Sequence, residues 1–546
     1  MKRKILLLIC FAVFAVAIEA QDRNSQETAS PTERFEALPA SPVGGLKLPH
    51  LSLLSGSGSV LGRLGLAQAS ATPAGQSVAP SGAPSSTSPV GITIYDRTRI
   101  DNWQWFEAPP ASETYSYVQT LLRIAVMQKV KNWDWQLELA QPSILGLPKD
   151  AVLAAPQGQL GLGGTYFASD GGNDYPAAAF LKRGFVRYHF HGMDRSLCLG
   201  RIEFNEGLET TPKNKSVAWL QANRVAARLI GNFGFSNAQR SLDGVDARYN
   251  VGNYHLIVLA ARADQGVYNM NGNPEIDVDI QYGAVTHPFL KGAGLWRAFA
   301  IGYHDGRTGV VKTDNRPLAA RRLDHQNIRL GTYGGDVIWT APLMNGTFDF
   351  VGWGALQNGQ WGTLKQSASA GAIEAGYQFD KVRLHPWFRA GEYRSSGDGN
   401  AADGTHNTFS QLLPTPRVYA RYPFFNSMNL NDQFVSAILK PSSKVNMRSD
   451  IHWLQLSNAK DFWYIGGGAF DKNVFGFTGR PSGHSSFASM YDISTDWAVA
   501  KQLDMNFYYA HVWGKSVIGA VYPRDRDSNF GYVEFVYHWG IQQRTK

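Results

Sequence analysis

The chain has 546 residues, of which 44% are hydrophobic and 12% are aromatic, and its formal net charge is +8. Charged residues make up only 18% of the chain, below the roughly 25% of ordinary soluble domains. After the first twenty residues no stretch approaches the ~18 consecutive apolar residues of a membrane-spanning helix, which excludes a helical membrane protein. Two classes of protein are left. One is a large secreted all-β protein, and the other is an outer-membrane β-barrel, in which lipid-facing apolar residues alternate with polar ones and so form no long apolar stretch.

The N-terminus has the pattern of a bacterial secretory signal peptide over residues 1–20. Residues 2–4 are basic, residues 5–18 are apolar but too few to span a bilayer, and residues 18–20 resemble a cleavage site. Without this peptide Cys198 is the sole cysteine, so the exported chain has no intramolecular disulfide. Its stability needs another source, and a closed barrel in which every strand is paired is one.

Residues 21–90 are rich in Ser, Ala, Pro and Gly. Such a segment buries too little apolar surface to offset its chain entropy, so we predict a disordered leader. Over residues 91–546 the composition changes, and short segments of alternating apolar and polar residues recur between clusters of Gly, Asn, Asp and Pro. We therefore predict one all-β domain, a transmembrane β-barrel, over this part of the chain.

The alternation has a period of two, as in a β-strand with one apolar face. In the last segment Val533, Phe535, Tyr537 and Trp539 alternate with Tyr532, Glu534, Val536 and His538. Two other segments behave alike: Ile276, Val278, Ile280 and Tyr282 alternate with Asp277, Asp279 and Gln281, and Trp133, Trp135, Leu137 and Leu139 alternate with Asp134, Gln136 and Glu138. We expect the apolar faces to contact lipid and the polar faces to line a lumen.

Alternation also fits a half-buried strand of a soluble sandwich. Aromatic residues near the strand ends, where an interfacial girdle would lie, favour the membrane, as do charged residues on the inward face. Roughly 450 residues at about 25 per strand and connection give about 18 antiparallel strands. We expect a barrel of this size to enclose a water-filled lumen unless loops fill it.

Arginines recur between apolar neighbours in these segments. An arginine at the lipid midplane costs about 2–4 kcal/mol, so each is expected to point into the lumen. The residues concerned are Arg123, Arg187, Arg248, Arg329 and Arg389. Guanidinium groups there would attract anions, because they pair bidentately with carboxylates. Alternatively, they pair with inward carboxylates such as Glu138, Glu203 and Asp246 and brace the wall.

One stretch of the sequence is a more specific signature than the alternation of apolar and polar residues. Residues 219–235 read WLQANRVAARLIGNFGF and residues 240–245 read RSLDGV. Together they resemble the signature of the alginate export family of outer-membrane proteins. Further stretches similar to that family follow its order along the chain: LGRIEF at 199–204, Arg322 to Gly331, YRSSGD at 393–398 and NTFSQLLPT at 407–415.

The resemblance, which covers roughly residues 93–540, implies a monomeric barrel of about 18 strands whose arginine-rich pore passes an anionic exopolysaccharide. The arginines at matching positions are candidates for the pore or its constriction: Arg123, Arg201, Arg224, Arg228, Arg240, Arg322 and Arg329. Arg224 and Arg228 would share one face if their stretch is helical. They could instead hold a long loop in place, and we expect the segment 205–240 to fold over the pore.

Other functions fit the same barrel. A general or nutrient-uptake porin for small anionic solutes is one alternative, and an adhesive barrel with a plugged lumen is another. No catalytic motif groups the Ser, His and Asp residues, so an enzyme is not expected, and no cofactor or metal is predicted, since His189 and His191 have no evident third ligand. Expected partners are the polysaccharide, outer-membrane lipid and lipopolysaccharide, and periplasmic export or scaffold proteins, but not nucleic acid.

Overall fold

The computed structural model of the protein describes residues 89–542, except 191–193, 414–418, 467–468, 473–476 and 480. The predicted signal peptide and all but the last two residues of the predicted leader lie outside the described residues. The strands are β1 (Gly91–Gln104), β2 (Thr114–Val130), β3 (Trp133–Leu145), β4 (Phe180–His189), β5 (Arg195–Ile202), β6 (Leu242–Val251), β7 (Tyr254–Asp264), β8 (Glu275–Phe289), β9 (Gly294–Asp305), β10 (Ile328–Leu343), β11 (Gly346–Trp361), β12 (Leu364–Gln378), β13 (Trp387–Ser395), β14 (Thr405–His406), β15 (Leu430–Ser442), β16 (Val445–Leu456), β17 (Trp463–Gly466), β18 (Phe477–Gly479), β19 (Ser486–Ala498), β20 (Leu503–Gly514) and β21 (Asp527–Gln542).

Within the described residues, eighteen of these strands form one closed antiparallel barrel. Each pairs with its neighbours in sequence, and β1 closes the barrel on β21, with Gly91 opposite Gln542 and Gln104 opposite Asn529. β14 is a two-residue strand beside β12, and β17 and β18 form a separate hairpin; none of the three belongs to the wall. The predicted fold class, an antiparallel barrel of about 18 strands, is confirmed.

The connections differ at the two mouths of the barrel. At the mouth where β1 begins and β21 ends, strands join by short turns, such as residues 131–132 between β2 and β3. The long loops lie at the opposite mouth: 146–179, 203–241, 306–327, 396–429 and 457–485. In outer-membrane barrels the short turns are periplasmic and the long loops extracellular, so we call the second mouth the outer mouth.

The helices are short and lie in the connections. They are α1 (Gly161–Ser169), α2 (Lys215–Leu220), a π-helix (Gln221–Val225), a 3₁₀ turn (Leu290–Gly292), α3 (Leu318–Leu323) and α4 (Ser516–Gly519). No helix among the described residues is long and apolar enough to cross a bilayer.

Arg97 and Arg99 mark the lumen face of β1, because both donate to backbone carbonyls of residues 234–236 in the loop between β5 and β6. Cross-strand partners share a face, so the registers carry this assignment around the barrel. The opposite face carries exposed apolar side chains, among them Ile100, Leu137 and Leu139. The predicted lipid-facing sets of the last strand and of β3 therefore face outward, as expected.

The first half of β8 is reversed. Ile276, Val278, Ile280 and Tyr282 are almost fully buried and face the lumen, whereas Asp277 and Asp279 are 54% and 40% exposed on the outer face. The expectation that each apolar face contacts lipid is wrong here. This half of β8 lies at the outer mouth, where the inner face packs against loops and the outer face carries exposed carboxylates.

The core of the molecule lies inside the barrel, under the loops of the outer mouth. The ring centroid of Trp103 of β1 lies 4.1 Å from that of Phe530, and Trp103 meets Tyr422 edge to face with the centroids 5.7 Å apart. Trp463 and Phe106 extend the same cluster, which is almost completely buried. Such aromatic pairs add about 0.5–1.5 kcal/mol each beyond the area they bury, so this cluster fixes the loops against the wall.

Candidate functional site

The loop of residues 203–241, between β5 and β6, lies inside the lumen. Its second half, residues 224–241, is buried throughout. On one side Arg97 donates to the carbonyls of Gly234 and Ser236, each at 2.8 Å. On the other side the backbone N–H of Leu413 donates to the carbonyl of Leu229 at 3.1 Å. The loop therefore spans the lumen and is held at both of its sides.

The loop begins with helical turns that end early. The Asn214 side chain caps α2 by accepting hydrogen bonds from the N–H groups of Ser216 and Val217. The π-helix that follows ends at Val225, and Ala227 has a left-handed φ of 56°. Arg228 therefore lies beyond the helix, and helical spacing does not explain how it comes to lie beside Arg224.

Glu374, a fully buried residue on the lumen face of β12, brings three arginines together. Its Oε2 accepts from Arg224 Nε at 2.6 Å and from Arg389 Nη2 at 3.0 Å, and its Oε1 lies 3.5 Å from Arg228 Nη2. Arg389 also pairs with Asp349 of β11. We call these five residues the Glu374 cluster.

Aromatic rings enclose the two loop arginines of this cluster. The Arg224 guanidinium lies 4.9 Å from the ring centroid of Tyr419 and 4.7 Å from that of Phe434. The Arg228 guanidinium lies 5.0 Å from the Trp353 ring and 5.1 Å from that of Tyr419. A desolvated cation–π contact is worth about 2 kcal/mol, so these rings reinforce the ion pairs that hold the loop across the lumen.

Arg123 belongs to a second group at the base of the same loop, which we call the Glu203 cluster. Arg123 Nη2 donates to Glu203 at 2.7 Å and also pairs with Glu138, and Arg183 Nε donates to Glu138 at 2.7 Å. Lys182 Nζ lies 3.5 Å from Glu203. Burial raises the pKa of the Glu203 carboxyl, but Arg123, Lys182 and Arg183 outweigh it and lower that pKa to about 2.

Arg187 and Arg248 are the predicted arginines with the most water-exposed side chains on the lumen wall. They share one carboxylate, Asp246, at 2.8 Å and 3.1 Å, and we call the three the Asp246 cluster. Their side chains remain 15% and 25% exposed, whereas Asp246 is buried. These guanidinium groups can therefore meet a solute in the lumen without breaking the loop contacts.

Arg240 closes the far end of the loop. Its guanidinium donates to the carbonyl of Gly231 at 3.0 Å and to that of Ala469 at 3.1 Å. Burial lowers the pKa of Arg240 to about 10, which leaves it charged at neutral pH. The contacts shown tie the loop to itself and to the connection between β16 and β19.

Three predicted pore arginines do not face the lumen. Arg201 of β5 shares the outer face with Leu199 and pairs with Asp243 at 2.5 Å. Arg329 of β10 is exposed opposite His304 on the outer face, so the expectation that it points inward is wrong. Its apolar neighbours Ile328 and Leu330 face the lumen instead, because this end of the strand lies at the outer mouth.

Arg322 is the third of these arginines. It is exposed in the short helix α3, within the connection between β9 and β10, and does not lie on the barrel wall. His191, weighed above as a metal ligand beside His189, lies outside the described residues.

Sequence reasoning missed several residues of the lumen. Glu374, which joins three arginines, stands between Ile373 and Ala375, and a lone carboxylate in an apolar strand was a usable signal. Arg183 precedes Arg187 on the same face by four positions, a spacing that period-two counting could have found.

The charges of the lumen are divided between its sides. In the Glu374, Glu203 and Asp246 clusters, as the described ion pairs define them, bases outnumber carboxylates by one in each. Arg297 of β9 has the opposite balance, since it meets Glu206, Glu209 and Asp336. An anion would therefore be attracted to the side of the wall formed by β2 to β6 and to the Glu374 cluster.

Comparison with known proteins gives one family and one fold. A sequence model described as alginate export matches residues 183–533. Among curated proteins none matches the chain. Solved barrels from Pseudomonas aeruginosa and Acinetobacter baumannii share the fold at low identity. Pseudomonas aeruginosa OccK9 (OpdG) is 10% identical with a TM-score of 0.51, and OccK2 (OpdF) is 8% identical with a TM-score of 0.50; each match covers 83% of this chain and 98% of the other. Acinetobacter baumannii OccAB4 is 8% identical with a TM-score of 0.50, and the match covers 85% of this chain and 100% of the other.

Proposed function

The chain belongs to the alginate export family of outer-membrane channels, and on this premise we propose that it passes an anionic polysaccharide, an alginate-like polyuronate, through its arginine-lined lumen. The observation that carries the proposal is the surplus of one base in each of the Glu203 and Asp246 clusters, whose bases all lie on strands of the wall. A surplus guanidinium can pair with a passing carboxylate while the structural ion pair beside it is kept.

The proposed mechanism is passive. Guanidinium groups of Arg187 and Arg248 replace water around a sugar carboxylate, and their partial exposure keeps each contact weak. Conduction needs this balance, because an ion or polymer must be attracted enough to enter and held weakly enough to leave. The driving force comes from synthesis of the polymer or from its concentration gradient.

The loop of residues 203–241 acts in this proposal as the gate. Its buried position supports that role, since the loop occupies the lumen that a polymer would cross. Movement of the loop requires the contacts of the Glu374 cluster to break or rotate together. The channel is thus closed at rest and opens when these contacts are released.

Partners outside the lumen are also proposals. Outward-facing charges at the outer mouth, including Arg201, Arg262 and Arg329, lie at the level of lipopolysaccharide headgroups and support contact with that lipid. We expect the channel to work as a monomer and to receive the polymer from periplasmic export or scaffold proteins.

Single-channel recording of the refolded protein in a planar bilayer tests the proposal. Under a KCl gradient, oligo-uronates and neutral oligosaccharides of equal length are added in turn. We expect an anion-selective current that only the oligo-uronates block. A current indifferent to both sugars would instead favour a porin for small anions, and a silent bilayer under all conditions would favour a plugged barrel.

A further inference from the structure

Three side chains from two neighbouring strands meet on the lumen wall, on the other side of the Phe434 ring from Arg224. Asp450 and His452 lie two positions apart on β16 and so share a face, and Asp492 lies directly opposite Asp450 on β19. One donor atom from each side chain lies within 4.8 Å of the other two. The three residues are 2%, 0% and 3% exposed, so water screens them little.

Two carboxylates that face each other across neighbouring strands repel, and burial increases that repulsion. Arg448 Nε neutralises part of it, at 2.5 Å from Asp450 Oδ2. The Tyr508 hydroxyl donates to Asp492 Oδ2 at 2.9 Å. Asp450 Oδ1 is buried and has no hydrogen-bond partner among the described residues, so this oxygen is available as a metal ligand.

The ring of His452 is oriented as that of a metal ligand would be. Its Nδ1 lies 2.9 Å from Asp432 Oδ1, while its Nε2 is fully buried and has no hydrogen-bond partner among the described residues. A carboxylate that accepts from one ring nitrogen fixes the tautomer and presents the other nitrogen as a lone-pair donor. This carboxylate–histidine arrangement is the one that orients histidine ligands of metal ions.

We propose that Asp450, His452 and Asp492 bind one divalent transition-metal ion, with Zn²⁺ as the expected occupant. One imidazole nitrogen and two carboxylate oxygens suit Zn²⁺, with water in the fourth position. Zinc bonds of about 2.0–2.2 Å place ligand atoms about 3.4 Å apart, so ligand atoms that lie up to 4.8 Å apart approach by up to about 1.4 Å on binding. The ion joins β16 to β19 and neutralises two carboxylates that would otherwise repel a polyanion.

Metal uptake tests this site without reference to conduction, so its failure is distinct from failure of the proposed function. The full chain, purified through a tag without histidine and stripped with EDTA, is titrated with Co²⁺ and followed by its visible absorption, and Zn²⁺ is counted per chain by mass spectrometry. We expect one equivalent of metal ion per chain, and visible absorption bands typical of Co²⁺ with a low coordination number. H452A and D492N lose the bands, and D432N binds about 10- to 100-fold more weakly.

H189A is the matched control. His189 also pairs with a single aspartate, Asp134, on the lumen face, but belongs to no three-donor group among the described residues. This variant should still bind one equivalent of metal ion. The heat-dependent shift in gel mobility of a folded barrel checks that each variant is folded. Stoichiometric uptake lost in H452A and D492N but kept in H189A supports the site. Absence of uptake by the unaltered chain, or equal uptake by H452A, overturns it.

Discussion

Arg224 and Glu374 lie 150 positions apart in the sequence, yet Arg224 Nε donates to Glu374 Oε2 at 2.6 Å inside the barrel. Glu374 lies on the barrel wall and Arg224 on the loop that crosses the lumen, so this contact joins the proposed gate to the wall. Both residues are almost fully buried, which makes the pair costly to break on one side only. The behaviour of the channel should therefore depend on this carboxylate.

Replacing Glu374 with glutamine should release the loop. The variant leaves the guanidinium groups of Arg224 and Arg228 buried without their carboxylate, a change that costs about 3–5 kcal/mol. We expect a lower urea midpoint and frequent flickering to a higher conductance. Urea unfolding and single-channel recording of the same preparation measure both effects.

Glu392→Gln is the matched control for that variant. Glu392 lies on the neighbouring strand β13 and is exposed on the outer face. Its replacement should leave the midpoint and the current unchanged. If the two glutamine variants behave alike, Glu374 does not hold the gate.

Deletion of residues 206–239, with a short Gly-Ser bridge in their place, should enlarge the conductance. The segment removed includes residues 224–239 of the buried half of the loop, and strands β5 and β6 on either side remain paired. Bilayer recording compares the unitary conductance of the two proteins. An unchanged conductance would mean that the gate is formed by another loop.

Arg187 and Arg248 should carry part of the anion selectivity. Each partly exposed contact with a carboxylate is worth at most about 1 kcal/mol, so the double alanine variant should weaken uronate block by roughly fivefold per arginine removed. R329A, which removes an outward-facing charge, is the control and should leave block unchanged. Equal loss of block in both proteins would contradict a lumenal role for Arg187 and Arg248.

Alternation in the sequence predicted the wall well, because the side-chain period of a strand is fixed by its geometry. It placed Val533, Phe535 and Tyr537 outward and Glu534 inward, as the structure does. The strand number followed from the length of the alternating region.

The same reasoning failed where the wall extends beyond the lipid. Arg329 stands between two apolar residues, and the rule that such an arginine faces the lumen assumes that its neighbours face hydrocarbon. At the outer mouth Ile328 and Leu330 are buried on the inner face, and Arg329 is exposed on the outer face. The contact of Arg224 and Arg228 with Glu374 was also beyond prediction, since it joins a loop to a distant strand.

Acidification should loosen the loop between β13 and β15. Burial lowers the pKa of His406 to about 4, and its ring stacks on Trp361 at 4.4 Å while Nδ1 meets Gln366 at 2.7 Å. Because this pKa lies below the ordinary 6.5, the unfolded loop takes up the proton first. The stabilisation is therefore complete above about pH 6.5 and falls by roughly 3 kcal/mol as the pH approaches 4.

Hydrogen exchange of residues 405–413 at pH 7 and pH 4.5, corrected for the intrinsic rates, measures this change. We expect protection to drop at the lower pH in the unaltered chain. H406Q removes the titrating group and should show little pH dependence. The same drop in H406Q would assign the effect to another group.

Release of polymer from proteoliposomes shows whether the channel passes a polyanion in preference to a neutral polymer. Vesicles that contain the channel are loaded with a labelled polyuronate and a neutral glucan of equal hydrodynamic size, and efflux of each is followed in the unaltered protein and in the variant lacking residues 206–239. We expect the loop-deleted channel to release the polyuronate much faster than the glucan, and the R187A/R248A change in that background to reduce the difference. Equal release of the two polymers, or release of neither from the loop-deleted channel, would overturn the proposed passage of a polyanion.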